Sequence, residues 1–299
     1  MRVTFNSFVN IAQPILDQQG SIQAKLEQQI SSGESISEAS DDPLTASRIL
    51  NLQTATNEAQ QNFKNASYAL NINTASYNAV SAMQQVSTSA SEIAVNAADP
   101  ITGQDSSATN AAQVNDLLEE AVAAGNQEFN GSYVLGGTNT DTPPFSVTRD
   151  ASGQITAVNY VGSANGASIP VGNNLSVTPS TDGATNSGLA DFMNQLVSLR
   201  DALTSNDTST ISTLQPELTQ SSTNLSDTVG QLSAQQGELQ DVQNETTVSY
   251  NAMSAQMSQD DGVDLAQAAT ALSQSQTAYQ AAIEAESKVM SKSLLDYIT

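Results

Sequence analysis

The acidic runs are where this sequence could do chemistry. Asp41-Asp42 stands directly before Pro43, and Asp260-Asp261-Gly262-Val263-Asp264 packs further carboxylates into a short stretch. Such grouping invites a calcium site, but neither run has the ligand spacing of an EF-hand loop. Both runs read as helix starts. A carboxylate accepts from free backbone N–H groups, and Pro suits the first helical position. Asp261 or Asp264 would serve the last helix in the same way. A hydrolase built on paired acids needs two carboxylates held across a cleft, and nothing in the sequence marks one. Glu119-Glu120 reads as a solvated face, and Asn130-Gly131 and Asn165-Gly166 read as turns. The chain has no His, no Cys and no Trp. That excludes disulfides, thiolate nucleophiles, histidine-ligated zinc and Ser-His-Asp triads. The expectation is a protein that is not an enzyme, with no catalytic residue, no metal ligand and no cofactor.

The elements that would position any site are helical at both ends. Near the C-terminus Leu265, Leu272, Tyr279, Ile283, Met290, Leu294 and Tyr297 recur at spacings of three, four or their sum of seven, the period of a coiled-coil seam. At the other end Phe8, Ile11, Ile15, Ile22, Leu26 and Ile30 do the same. Termini usually fray because little holds them. Two apolar-striped termini imply that each other and neighbouring molecules hold these, so all thirteen residues form the expected assembly interface. Pro14 is expected to interrupt or kink the first helix, and Ser31-Ser32-Gly33 to end it with a glycine cap. A long helix then starts at Pro43 and runs to about Ala97. A break at Asp99-Pro100 and a further helix from Ser107 to Phe129 follow.

The texture changes at Asn130-Gly131. Short strand-like pieces now alternate with turns: Tyr133 to Leu135, Phe145 to Thr148, Gln154 to Val161, Ile169 to Val171 and Leu175 to Thr178. Helical periodicity returns at Leu189, and a second long helix and a last one follow. The layout is close to palindromic, so distant halves of the chain must pair antiparallel. The expected fold is mainly α with a β insert: a long antiparallel coiled-coil-like helical rod from the N- and C-terminal segments, with a small β-rich domain in the middle. The expected divisions are terminal helical assembly arms at 1–43 and 260–299, a helical rod domain at 44–130 and 188–259, and an insert at 131–187. The abrupt change of period also suggests that the insert folds independently of the helices.

The net charge of -23 disfavours nucleic acid and anionic membranes as partners. No apolar run is long enough to cross a bilayer. The start, Met1-Arg2-Val3-Thr4, lacks the apolar core of a secretory signal, so export by that route is not expected.

Ser32-Gly33, Ile36 and Asp41-Asp42-Pro43 resemble the N-terminal signature of the bacterial flagellin family, in which Ser-Gly and Ile precede an Asp pair. Glu34 and Ser35 depart from it, since the family usually carries basic residues there. Met1-Arg2-Val3-Thr4, Asn130 to Thr138 with Pro144-Phe145, Tyr160 to Ser163, Asp264-Leu265-Ala266 and Ser293 to Ile298 are similar to members at the hook–filament junction. The resemblance implies a structural subunit of the bacterial flagellum, exported through the flagellar type III channel and resident outside the cell. Its partners would be a ring of like subunits, flagellin, an adjacent hook-associated protein and a cytoplasmic export chaperone. Rival readings are the filament subunit, flagellin itself, or another exported coiled-coil protein of a type III system.

Overall fold

The computed structural model describes residues 5–98, 106–172 and 174–298, with side chains described over 13–98, 106–172 and 174–288. The helices are α1 (Phe5–Ser32), α2 (Pro43–Ala97), α3 (Ser107–Gly125), α4 (Gly183–Ser205), α5 (Thr208–Asp261) and α6 (Leu265–Ile298). Between α3 and α4 lie three antiparallel hairpins. They pair β1 (Glu128–Phe129) with β2 (Ser132–Tyr133), β3 (Phe145–Arg149) with β4 (Ile155–Tyr160), and β5 (Ile169–Gly172) with β6 (Leu175–Val177). The chain is therefore mainly α with small sheets. The Asp99-Pro100 break falls outside the described residues.

Aspartates start the helices, as local chemistry dictates. At α2, Asp42 Oδ1 accepts from the N–H groups of Leu44 (3.1 Å) and Thr45 (3.2 Å). Asp182 accepts from Thr185 N (2.8 Å) at α4, and Asp207 from Ser209 N and Thr210 N (both 3.1 Å) at α5. Each carboxylate satisfies donors that the first helical turn leaves free. Pro14 lies inside α1 without ending it. Gly33, at φ 78°, closes that helix in a left-handed conformation that glycine adopts without steric cost.

The chain divides into two compact units, one over residues 1–58 and 249–299 and one over 59–248. In the second unit α2 and α5 run antiparallel. Gln243 Nε2 donates to Ser67 Oγ (2.9 Å), Gln236 Nε2 to Thr74 Oγ1 (3.0 Å) and Gln84 Nε2 to Ser226 Oγ (2.7 Å), so α5 numbers fall as α2 numbers rise. The core is built from Met83, Val86, Leu118, Phe192, Leu196, Leu203 and Leu218, all buried on α2, α3, α4 and α5.

The hairpins carry no separate core. Phe145, Ile155 and Val158 belong to the helical cluster, and Val171 packs in a smaller cluster with Ala66, Ala69 and Leu239. The strands pack directly on the helices. The reason is side-chain pairing. Asn126, one residue past α3, donates to Phe145 O and accepts from Phe145 N, both at 2.9 Å. Asn194 on α4 does the same for Val158, at 2.8 and 2.9 Å. Each amide satisfies the N–H and C=O that an edge strand leaves open. Helix α3 stops at Gly125 and not Phe129, because Glu128-Phe129 form β1 around a turn at Asn130 (φ 52°) and Gly131 (φ 77°).

Candidate functional site: the paired terminal helices

The site expected from the sequence is a surface, and the unit of residues 1–58 and 249–299 carries it. Helices α1 and α6 pack along each other. Their seam is polar where a self-sufficient coiled coil would be apolar. Gln23 Nε2 donates to Ser275 O (3.1 Å), and Ser275 Oγ donates to Gln19 Oε1 (3.2 Å). Ser275 and Ala268 are buried, and both are small. Among the described side chains of α1 and α6, Ala268 is the one buried apolar residue.

The expected interface residues divide into two groups around that seam. Leu26, Ile30, Leu272 and Tyr279 are half-buried. Ile15 is 48% exposed, Ile22 40%, Leu265 54% and Ile283 44%. The side chains of Phe8, Ile11, Met290, Leu294 and Tyr297 lie outside the described residues, although their backbones belong to α1 and α6. The inward face of α6 is thus set by Ala268, Leu272, Ser275 and Tyr279, one step around the helix from a stripe that includes Leu265 and Ile283. Sequence reading missed Gln19, Gln23 and Ser275. Their signal was present, since each falls at helical spacing among apolar neighbours, but polar residues leave no mark in a hydrophobic pattern.

A clasp joins the two connectors at one end of this pair. Ser35 N donates to Asp261 O, Val263 N donates to Gly33 O (3.0 Å), and Glu34 and Gly262 form an antiparallel bridge. Gln29 Nε2 donates to Ser35 O (2.6 Å). Of the motif residues, Ser32 and Gly33 serve this clasp, Asp42 and Pro43 the start of α2, and Asp41 the connector between them, where Ile36 is half-buried. The acidic runs that invited a calcium reading are committed elsewhere. Asp41 accepts from Lys25 Nζ (2.6 Å) and from Ser37 N and Glu38 N. Lys25's hydrogen bond, helped by those backbone donors, holds the Asp41 carboxyl below the usual range. The Thr45 side-chain hydrogen bond does the same for Asp42. Asp260 pairs with Arg48 (2.6 Å), and Asp264 accepts from Ala266 N (3.0 Å) and Gln267 N (3.1 Å) at the start of α6. Among the described residues no group of carboxylates is placed to hold a metal ion.

Such an arrangement can present apolar side chains on a pair of packed helices, which is a means of packing against other helices. No described helix is long and apolar enough to cross a membrane.

No curated protein matches the sequence. Among solved structures, the fold is similar to a protein of Vibrio parahaemolyticus assigned as a flagellar hook-associated protein, with a TM-score of 0.65 at 13% identity over 74% of this chain and 100% of that one. It is also similar to FlgL of Bacillus cereus, with a TM-score of 0.60 at 17% identity over 70% of this chain and 99% of that one. FlgL of Xanthomonas campestris gives a TM-score of 0.51 at 13% identity over 64% of this chain and 97% of that one. At such identities these likenesses establish the fold. The sequence itself matches the family model of the bacterial flagellin N-terminal helical region over residues 3–140. By residues 3–140 this chain is similar to the N-terminal helical region of bacterial flagellins.

Proposed function

We propose that this chain is a structural subunit of the bacterial flagellum that builds the junction between hook and filament, and that α1 and α6 are its assembly surface. The observation that carries the proposal is the unfinished packing of those helices. Ile15, Ile22, Leu265 and Ile283 stay exposed while Gln19, Gln23 and Ser275 fill the seam. Fully burying an Ile or Leu side chain is worth about 1.5–3 kcal/mol, so these exposed residues gain most from a third and fourth helix supplied by neighbouring copies. The hook-associated protein and FlgL among the similar structures support placing that assembly at the junction. On this reading the arms correspond to residues 1–43 and 260–299, the protein is exported to the cell exterior, and a cytoplasmic chaperone covers α6 before export. Its neighbours are like subunits, flagellin and an adjacent hook-associated protein.

Immunogold electron microscopy of intact flagella tests the placement. Label confined to a narrow band between hook and filament is the expected result. Label along the whole filament would replace the junction reading with that of a filament subunit.

A further inference from the structure

The unit of residues 59–248 carries a charge arrangement that the terminal helices do not explain. Its basic residues are Lys64, Arg149 and Arg200. Arg149 is paired with Glu119 (2.8 Å) and Arg200 with Asp201 (2.7 Å). Among the described residues of this unit, Lys64 is the one basic side chain without an ion pair. It lies exposed on α2, one turn before Tyr68, which is 48% exposed and whose ring stands 6.4 Å from that of Phe129. An exposed Tyr is a residue type that concentrates binding energy at interfaces, and the cation beside it can steer an acidic partner onto it.

The opposite chemistry sits on α5. Glu238, Asp241 and Glu245 recur at spacings of three and four, which places them on one helix face. All are exposed, and no basic group of the unit reaches them. The Ser67–Gln243 and Thr74–Gln236 hydrogen bonds set α2 and α5 in register. Lys64 and Tyr68 therefore stand at the same level along the helices as the carboxylate row. When copies stand side by side, the α2 face of one can meet the α5 face of the next without any axial shift. Such a contact is heterologous and repeats until a ring closes.

We propose that the Lys64–Tyr68 face of α2 docks on the Glu238–Asp241–Glu245 row of α5 in a second copy of this chain. Charge complementarity selects that occupant. Arg149 and Arg200 are already paired with carboxylates, so Lys64 carries the uncompensated positive charge that the row can meet, and like charges brought together at an interface oppose association. The contact rests on the reading of the chain as a self-assembling subunit and adds a lateral surface to the one on the terminal helices.

The test is sedimentation of the full chain over a range of concentrations, for wild type, Lys64→Glu, Glu238→Lys with Asp241→Lys, and all three changes together. Lys64→Gln serves as a milder variant, and circular dichroism checks that each chain keeps its helical signal. Each one-sided reversal is expected to weaken self-association about tenfold or more, Lys64→Gln less, and the combined variant to return to within a few-fold of wild type. One-sided variants that associate like wild type, or a combined variant no better than either, would overturn the contact while leaving assembly through α1 and α6 standing. Self-association unchanged by Lys64→Glu together with lost attachment to isolated hooks would also overturn it, by assigning the face to a different protein. A wild-type chain that stays monomeric throughout would remove both the contact and the self-assembly reading it depends on.

Discussion

Asn186 shows what single residues contribute to this fold. It is fully buried on α4, accepts from Thr181 Oγ1, and donates to Leu135 O (2.9 Å) and to Tyr160 Oη (3.2 Å). The single Tyr160 hydroxyl proton lies within reach of both Leu135 O (3.1 Å) and Ser163 O (3.0 Å). Removing the amide leaves buried groups without partners, so Asn186→Ala should cost about 1–3 kcal/mol. Urea titration followed by circular dichroism measures it, and an unchanged midpoint would show that water replaces the amide. Acid acts at the same scale. The carboxyls of Asp41, Asp42, Asp182 and Asp207 are held below their ordinary range, the first two by Lys25 and Thr45 and the others mainly by backbone and side-chain donors at their helix starts. A depressed folded-state pKa means that the unfolded chain takes up protons first as pH falls. Stability contributed by these groups is present above about pH 4 and is lost as pH falls through that range toward the folded values. Urea midpoints at neutral pH and near pH 3 should therefore differ, and Asp182→Asn with Asp207→Asn should shrink the difference. A midpoint independent of pH would contradict these assignments.

Among the elements, the hairpin of β3 and β4 behaves as part of the helical core. Phe145 is buried against Gly125 of α3, where an added Cβ would come within 2.7 Å of the ring. Truncation as Phe145→Ala should cost about 3–5 kcal/mol. Replacing residues 138–182 with a short Gly-Ser turn should lower the thermal midpoint of the helical signal, because α3 and α4 would then expose the faces that Phe145, Ile155 and Val158 cover. An unchanged midpoint would restore the idea of an independent insert. The contrast shows what was legible in the sequence. Helices such as α2 and α5 announce themselves because their signal is local and repeats every turn. The strands were located by their alternation and by Asn130-Gly131. The attachment of strands to helices was not legible, because Asn126 and Asn194 pair with Phe145 and Val158 across 19 and 36 residues, and an isolated Asn carries no mark of its partner. The same limit hid the Gln19–Ser275 and Gln23–Ser275 contacts and the Arg48–Asp260 pair. The terminal surface was legible as a stripe, while the face that α6 turns to α1 depended on where the small residues Ala268 and Ser275 fall.

For the whole molecule the account makes one demand: the terminal helices complete their packing on other subunits. Removing residues 1–30 and 263–299 should leave a soluble chain whose main unfolding transition, set by the core of residues 59–248, is unchanged. A large drop in that midpoint would mean that the arms belong to the monomer's own stability. Leu272→Asp with Tyr279→Asp should act like the truncation, because each places a carboxylate on the face that α6 turns to α1 and so breaks the helix pair that forms the assembly surface. The net charge of -23 weakens association between free subunits, so a template should speed assembly. The most direct measurement adds the purified chain to isolated hooks that bear the adjacent hook-associated protein, without flagellin, and follows the tips by electron microscopy. The account predicts a short cap that then accepts flagellin, and no cap from the Leu272→Asp, Tyr279→Asp chain. Long filaments grown from this chain alone, or caps formed equally well by the doubly substituted chain, would contradict it.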